Sequence, residues 1–164
     1  METHGETVYR LALCRLQSVP DAEDVYQDVF LRLLNQNTDG WDSAHLKAWL
    51  IRTALNRCHD AARFRLRRPV LSLDTIGELA AEAEEGWPEL WEAVSRLPEK
   101  LRTVVHLFYA EGYHTEEIAS LPHCPDATVR SRLHRARRQL KDLLGGVDHE
   151  TEYLSKPDGA YPRA

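Results

Sequence analysis

Asp-Ala-Thr-Val-Arg-Ser-Arg-Leu-His-Arg-Ala-Arg-Arg-Gln-Leu-Lys, residues 126–141, places six basic side chains in one short segment of an acidic chain. Its apolar residues recur at steps of three and four, which keeps them on one face of an α-helix. They are Val129, Leu133, Ala136, Leu140 and, just beyond the segment, Leu144. The arginines must therefore point elsewhere. A helix with an apolar back and a basic front can lie in the major groove of duplex DNA.

A shorter helical pattern, Thr115-Glu-Glu-Ile-Ala-Ser-Leu121, comes before this basic segment. We expect Thr115 to cap it, with two glutamates in its first turn, where the helix dipole favours acids. Pro122-His-Cys-Pro125 should end it, and Asp126 should cap the basic helix. A short helix, a turn and a longer basic helix make up a helix-turn-helix. The alternative for the basic helix alone is a solvated charged face.

Charge is distributed unevenly along the 164 residues, whose net charge is −5. Residues 47–68 hold seven basic side chains and one acid, whereas residues 74–92 hold seven acids and no basic side chain. The basic segment near the C-terminus forms a second positive zone. Two basic zones separated by an acidic one suggest two modules that face nucleic acid, joined by a linker that avoids it.

Helical periodicity runs through nearly the whole chain, and no strand pattern stands out. The sequence therefore predicts an all-α protein of two small helical domains joined by an acidic linker. In the first domain we expect helices over residues 8–16, from a cap at Asp21 to about Asn35, and from a cap at Asp42 or Ser43 to about Leu66. The predicted domains are residues 1–68 and 87–145, with a flexible linker over 69–86 and a disordered tail over 146–164.

Several classes of protein are disfavoured by the composition. No signal peptide or long apolar run is present, so we expect a soluble cytoplasmic protein. The three cysteines, Cys14, Cys58 and Cys124, are odd in number and widely spaced, which argues against a disulfide framework. We expect Cys58 to pack in the core and no metal or other cofactor to be bound. Without a glycine-rich phosphate loop or a nucleophile motif, an enzyme is not expected.

The second predicted helix has two different faces. Val25, Val29 and Leu33 form its core side. The opposite side combines acidic, amide and apolar side chains. This combination is compatible with a protein-binding surface and also with an ordinary solvated face. The residues of this side are Asp24, Gln27, Asp28 and Leu31.

The third predicted helix also has two stripes. Leu46, Leu50, Ala54 and Cys58 recur every four residues and should be buried. The second stripe combines an aromatic ring that could stack on a base, an amide that could contact a base edge and arginines that could bind phosphates. It contains Trp49, Arg52, Asn56, Asp60, Arg63 and Arg67. The alternative is a partly buried tryptophan beside solvated arginines.

Three segments precede the helix-turn-helix in a definite order: Asp21-Ala-Glu-Asp-Val-Tyr-Gln-Asp-Val-Phe-Leu-Arg-Leu-Leu34, Ala48-Trp-Leu-Ile-Arg-Thr-Ala-Leu-Asn56 and Leu97-Pro-Glu-Lys-Leu-Arg102. Together with Thr115–Arg137 they resemble a bacterial RNA polymerase sigma factor of the extracytoplasmic-function type, in the sigma-70 family. The first resembles the signature of region 2, the second the promoter-melting segment, and the others region 4. The resemblance covers about residues 8–144.

The resemblance implies a transcription initiation factor, and it implies roles for particular residues. Docking on the clamp helices of the polymerase β′ subunit is implied for Asp24, Gln27, Asp28 and Leu31. Opening and recognition of the −10 element are implied for Trp49, Arg52, Asn56, Asp60 and Arg63, with the loop over residues 40–46. Binding of the −35 element is implied for Thr128, Arg130, Ser131, His134, Arg135 and Arg138. Within this set, base recognition is implied for Arg130, Ser131, His134 and Arg135.

Further partners implied by the resemblance are the flap of the β subunit, promoter DNA and an anti-sigma factor. Two positions depart from the family pattern, because Ala127 stands where glycine is usual and His134 where an apolar or aromatic residue is expected. Arg137, Arg138 and Lys141 are left as contacts to phosphate or solvent. The alternative function is a stand-alone helix-turn-helix regulator, which would need neither the docking face nor the Trp49 stripe.

Overall fold

The computed structural model describes residues 2–67 and 88–145, and every regular element in these ranges is helical. The chain divides into two compact units. The all-α prediction is confirmed, and no helix in the described ranges is long and apolar enough to cross a membrane. The predicted linker (69–86) and tail (146–164) lie outside the described residues, so their flexibility and the domain boundaries stay predictions.

Three helices form the first unit: α1 (Glu2–Leu16), α2 (Val19–Leu34) and α3 (Ser43–Arg67). Each packs on the other two. Most residues of the apolar stripes predicted for them meet in the core, where the side chains are almost inaccessible to solvent. Leu33 and Leu46 differ from the prediction, because each is only half-buried. The buried residues include Val8, Leu11, Ala12, Leu16, Val25, Val29, Leu50, Ala54 and Cys58. Burial of these stripes is the main stabilising term for a bundle of this size.

The helix ends of the first unit differ in two places from the sequence expectations. α1 begins at Glu2 and not at Val8. Ser18, not Asp21, is the N-cap of α2, because the Ser18 hydroxyl accepts the backbone N–H of Asp21 at 3.5 Å. Of the two caps proposed for α3, Asp42 is the one observed, since its carboxylate accepts the N–H of His45 at 2.7 Å. Side-chain oxygens at these positions satisfy donors that a helix leaves unpaired.

The second unit contains α4 (Pro88–Ser95), α5 (Glu99–Val105), α6 (Thr115–Ser120) and α7 (Asp126–Leu143). A π-helical turn, His106–Ala110, continues α5. The apolar stripe of α7 lies as predicted, with Val129, Leu133, Ala136 and Leu140 only 0–2% exposed. The C-terminal half of this stripe packs against residues of α4, of α5 and of the turn between them, including Val94, Leu97 and Leu101. The apolar face of the basic helix is therefore buried in the core of the second unit.

The two caps predicted for the helix-turn-helix are each displaced by one residue. α6 is capped by His114, not Thr115, because the Glu117 carboxylate reaches back to accept the N–H of His114 at 2.7 Å. Pro125, not Asp126, stands at the N-cap of α7, with φ −59°. Ala127 follows inside the helix and does not have a positive φ. The glycine that is usual at that position is thus not required by the backbone here.

A buried arginine joins α4 to α5. Arg102 is only 6% exposed, and its Nη1 donates to the carbonyl oxygens of Leu97 at 2.6 Å and Ser95 at 3.3 Å. The Ser95 carbonyl belongs to the last residue of α4 and the Leu97 carbonyl lies just beyond it, where helical partners are missing. Arg102 thereby closes the turn between the two helices and fixes the support on which α7 packs.

Candidate nucleic-acid interface

The outer face of α2 is open to solvent, as expected for a docking surface. Asp24 and Gln27 are exposed, and the Leu31 side chain is 59% exposed. Leu34, which was not predicted to belong to this surface, is 81% exposed on the same helix. Its position three residues after Leu31 could have indicated this, because it falls outside the buried Val25 and Val29 stripe. Two exposed leucines beside polar groups are a suitable surface for another protein.

Asp28 differs from the other residues of this face. Its carboxylate is paired with the guanidinium of Arg57 on α3 and accepts a hydrogen bond from Arg32 at 3.1 Å. Arg57 also donates to the Asp60 carboxylate at 3.1 Å. The four groups form an ion-pair network that connects α2 with α3, so Asp28 contributes to the fold of this unit as well as to its surface.

A groove of about 460 Å³ lies between α2 and α3. Three of the residues predicted for strand opening line it: Trp49, Asn56 and Asp60. Arg52 and Arg63 are not part of its lining. The remaining lining residues were not predicted, and most come from the last turn of α2 and the residues just after it. They are Arg32, Asn35, Gln36, Thr53 and Arg57.

Aromatic rings cluster at the start of α3, near one side of this groove. The Trp41 ring lies 4.6 Å from His45 in a stacked arrangement and 5.8 Å from Trp49, measured between ring centroids. Trp41 belongs to the loop that the resemblance connects with base capture. Aromatic faces, amides and arginines on one concave surface are the groups that bind unpaired bases and their phosphates.

The exposed face of α7 carries most of the residues predicted for duplex recognition. Arg130, Ser131, His134, Arg135 and Arg138 are exposed, whereas Thr128 is half-buried in the first turn. Arg135 is held along the helix, because its Nη2 donates to the Ser131 hydroxyl at 3.1 Å. The face opposite the buried stripe is therefore cationic and accessible, as insertion into a major groove requires.

Arg137 does not make the predicted contact with phosphate or solvent alone, because it is half-buried and bound to another element. Its Nε donates to the Tyr109 hydroxyl at 2.8 Å, and its guanidinium lies 5.7 Å from the centroid of the Phe108 ring. Burial raises the pKa of Tyr109, although the hydrogen bond from Arg137 opposes this effect. Arg137 thus connects α7 with the π-helical turn. Periodicity did not reveal this, because the tyrosine lies far away in sequence.

Potential metal ligands do not cluster in the described part of the chain, where no group of three or more His, Cys, Asp or Glu side chains could hold an ion. Cys58 is fully buried in the core of the first unit, as predicted. The groups that the structure brings together are instead arginines, amides, aromatic rings and carboxylates. These are suited to binding nucleic acid and protein.

Comparison with known families covers both units. Residues 1–68 match the model for Sigma-70 region 2, and residues 88–140 match the model for Sigma-70, region 4. A stand-alone helix-turn-helix regulator has no need of a region 2 domain such as the one that residues 1–68 match. Sigma factors direct transcription initiation with RNA polymerase and are not themselves enzymes.

Individual relatives agree with the family models. The chain is 32% identical over 161 residues to the ECF RNA polymerase sigma factor SigE of Mycolicibacterium smegmatis, covering 90% of this chain and 61% of that protein. It is 30% identical to ECF RNA polymerase sigma factor SigM of Bacillus subtilis, covering 87% of this chain and 92% of that protein. The fold resembles sigma factor RpoE from Bartonella quintana, solved with the anti-sigma factor NepR, with a TM-score of 0.70, 23% identity and coverage of 90% and 94%. The chain belongs to the extracytoplasmic-function group of the sigma-70 family of RNA polymerase sigma factors.

Proposed function

We propose that this chain carries core RNA polymerase to a set of promoters by contacting −35 duplex DNA through α7 and unpaired −10 DNA through the groove between α2 and α3. The observation that carries the proposal is the division of α7 into two faces. Its apolar stripe is 0–2% exposed, while five of the six residues assigned to −35 recognition, Arg130, Ser131, His134, Arg135 and Arg138, are exposed. A helix supported in this way can enter a major groove without losing its core contacts.

Docking on polymerase is proposed for the outer face of α2. Asp24, Gln27 and Leu31 are accessible there, and Leu34 extends the apolar part of the surface. The clamp helices of the β′ subunit are the proposed partner of this face, and the flap of the β subunit is the proposed partner of the second unit. Support for both comes from membership of the family and from the exposure of the surface.

Capture of unpaired −10 DNA is proposed for the α2–α3 groove. Trp49 offers a ring for stacking and Asn56 an amide for a base edge, and both line the groove. Arg32 and Arg57 also line the groove, where their guanidinium groups are paired with the carboxylates of Asp28 and Asp60. Arg52, Asp60 and Arg63 keep their proposed roles along the same helix. Stacking of a base on an aromatic side chain is worth about 1–3 kcal/mol, enough to favour an extruded base once the duplex has opened.

Regulation through an anti-sigma factor is proposed as well. The similar Bartonella quintana protein was solved with such a factor. A partner of that class would act by covering the docking face, the basic face of α7, or both. We place the protein in the cytoplasm, where its polymerase is found.

Run-off transcription with purified core polymerase tests the proposed function. We expect the full chain to produce discrete transcripts from genomic DNA, whereas core polymerase alone produces none of them. A gel-shift assay on the same promoters without polymerase is the control. Tight binding of promoter duplex without polymerase, together with no detectable binding to core polymerase, would contradict the proposal and favour a stand-alone regulator.

A further inference from the structure

Arg130 is held by two carboxylates from different parts of the helix-turn-helix. Its Nε lies 2.7 Å from Asp126 Oδ2, one turn earlier on α7. Its Nη2 lies 3.2 Å from Glu116 Oε1 on α6. The other oxygen of Glu116 accepts a hydrogen bond from the Thr115 hydroxyl at 3.4 Å. No other exposed arginine of α7 is bound by two carboxylates in the described part of the chain.

The two carboxylates occupy one particular edge of the guanidinium. An arginine presents five N–H donors in a rigid planar fork, with Nε and Nη2 along its side edge and Nη1 and Nη2 at its end. Asp126 and Glu116 take the side edge. No group among the described residues accepts a hydrogen bond from Nη1. The end edge therefore still offers two parallel N–H groups. Parallel N–H groups are what the O6 and N7 acceptors of a guanine bind in the major groove.

Local charge favours a base over a phosphate as the target of Arg130. One guanidinium stands between two carboxylates, so the cluster is negative overall. A phosphate brought close to it would be repelled by Glu116 and Asp126, whereas a guanine edge is neutral. Arg130 also lies in the N-terminal part of α7, and the N-terminal residues of a recognition helix are those that contact base edges.

From these contacts we propose that Glu116 and Asp126 are positioning residues that direct the end edge of Arg130 towards a guanine of the −35 duplex. This rests on the proposed function and deepens it, because it names the base that one residue selects. Arg130 then contributes mainly to discrimination between sequences. Exposed arginines of α7 that have no carboxylate partner in the described ranges, such as Arg138, contribute mainly to overall affinity through phosphates.

The test uses the full chain bound to core polymerase and a library of promoter duplexes randomised across the −35 element. Bound duplexes are recovered and sequenced, so the preference at each base position is measured whatever the natural promoter sequence is. The variants are Arg130→Ala, Arg130→Lys, Glu116→Gln and Asp126→Asn. Asp142→Asn is the matched control, because it removes the same charge from an exposed position on α7, about 18 Å from Arg130 along the helix.

We expect the unaltered chain to prefer guanine at one position and Arg130→Ala to lose about fivefold or more of that preference. Arg130→Lys should lose it too, since an ammonium cannot make the two parallel bonds. Glu116→Gln and Asp126→Asn should lower the preference about two- to fivefold at that position alone, the range expected when an exposed ion pair is removed. Asp142→Asn should leave the base preference unchanged at every position of the −35 element. Melting temperatures check that each variant is folded.

Three results would overturn the inference. The first is a uniform rise in affinity for Glu116→Gln with no change at any single position, which would make this carboxylate a bystander. The second is an equal loss of affinity on all DNA sequences for Arg130→Ala, with the slope of log affinity against log salt concentration reduced by the amount expected for about one phosphate contact. The third is selection of a base other than guanine at that position. If the unaltered chain selected no −35 sequence with polymerase, the proposed function itself would fail, and this inference with it.

Discussion

The carboxylate of Asp28 on α2 is paired with the guanidinium of Arg57 on α3, and the same oxygen accepts a hydrogen bond from Arg32. This pairing joins the proposed docking helix to the helix that lines the proposed −10 groove. Replacing Asp28 by arginine would place three guanidinium groups together and disturb the fold as well as the docking face. We therefore expect Asp28→Asn to lower stability by up to about 1 kcal/mol, since the pairs are partly exposed. Urea unfolding of the full chain measures this loss.

Replacement of Leu31 tests docking on polymerase separately from the stability of the fold. Because its side chain is 59% exposed, Leu31→Ala should leave the melting temperature unchanged. If the α2 face binds the clamp helices, affinity for core polymerase should fall by about 1–2 kcal/mol, as for a central contact of an interface. Phe64→Ala is the control, since Phe64 is an equally exposed apolar residue on α3. Competition for core polymerase measures the effect, and an equal loss for both variants would contradict the assignment.

Arg137 and Arg138 are adjacent in sequence but should behave differently. Arg137→Ala removes the hydrogen bond to Tyr109 and the contact with the Phe108 ring, and should lower stability by about 1–2 kcal/mol. Arg138→Ala should leave stability unchanged, because Arg138 is exposed. It should weaken DNA binding on all sequences and lower the slope of log affinity against log salt concentration by about one. Thermal melts and salt titrations of the two variants compare these outcomes. Equal stability loss would contradict the distinction.

Arg102 should be required for the second unit to fold stably. Arg102→Ala leaves the carbonyls of Leu97 and Ser95 without this donor and opens space in the core, which should cost about 2–4 kcal/mol. Arg96→Ala is the matched control, because Arg96 is exposed and, among the described residues, pairs only with Glu92, a contact worth less than about 1 kcal/mol. Denaturant unfolding of both variants, followed by helical circular dichroism, checks the difference.

Alkaline pH should destabilise the second unit through Tyr113. Burial, followed by the charges of Glu111 and Glu117, raises the pKa of Tyr113 to about 12 from its ordinary value of 10.0. The folded state therefore holds this proton more tightly than the unfolded state. The resulting stability is fully present below pH 10 and is lost as pH rises from 10 towards 12. Melting temperatures between pH 9 and pH 11 should fall less steeply for Tyr113→Phe than for the unaltered chain.

Trp49 should act in strand opening and not in duplex binding. Trp49→Ala removes the ring that lines the groove, so open complexes should be destabilised by about 1–3 kcal/mol per stacked base. Binding of holoenzyme to a duplex that contains only the −35 element should be unaffected. Permanganate reactivity of −10 thymines measures opening. Unchanged opening would remove Trp49 from the proposed site.

Buried stripes were predictable from the sequence because they depend on local periodicity. Val129, Leu133, Ala136 and Leu140 all lie at 0–2% exposure, and Cys58 is in the core as expected. Helix caps were less predictable. Thr115 and Asp126 each have suitable side chains, but the observed N-caps are the residues just before them, His114 and Pro125. Several neighbouring residues could cap a helix, and the backbone path of the preceding turn selects among them.

The amino-acid sequence by itself determined the all-α class, the helical faces and the family to which the chain belongs, because these follow from residue spacing and from motif order. The tertiary structure decided which charged side chains are engaged and with whom. Arg137 packs on Tyr109, Asp28 joins Arg57, and Glu116 joins Arg130. Each pair connects separate helices, so its geometry depends on how those helices pack, and no periodicity within one helix contains that information.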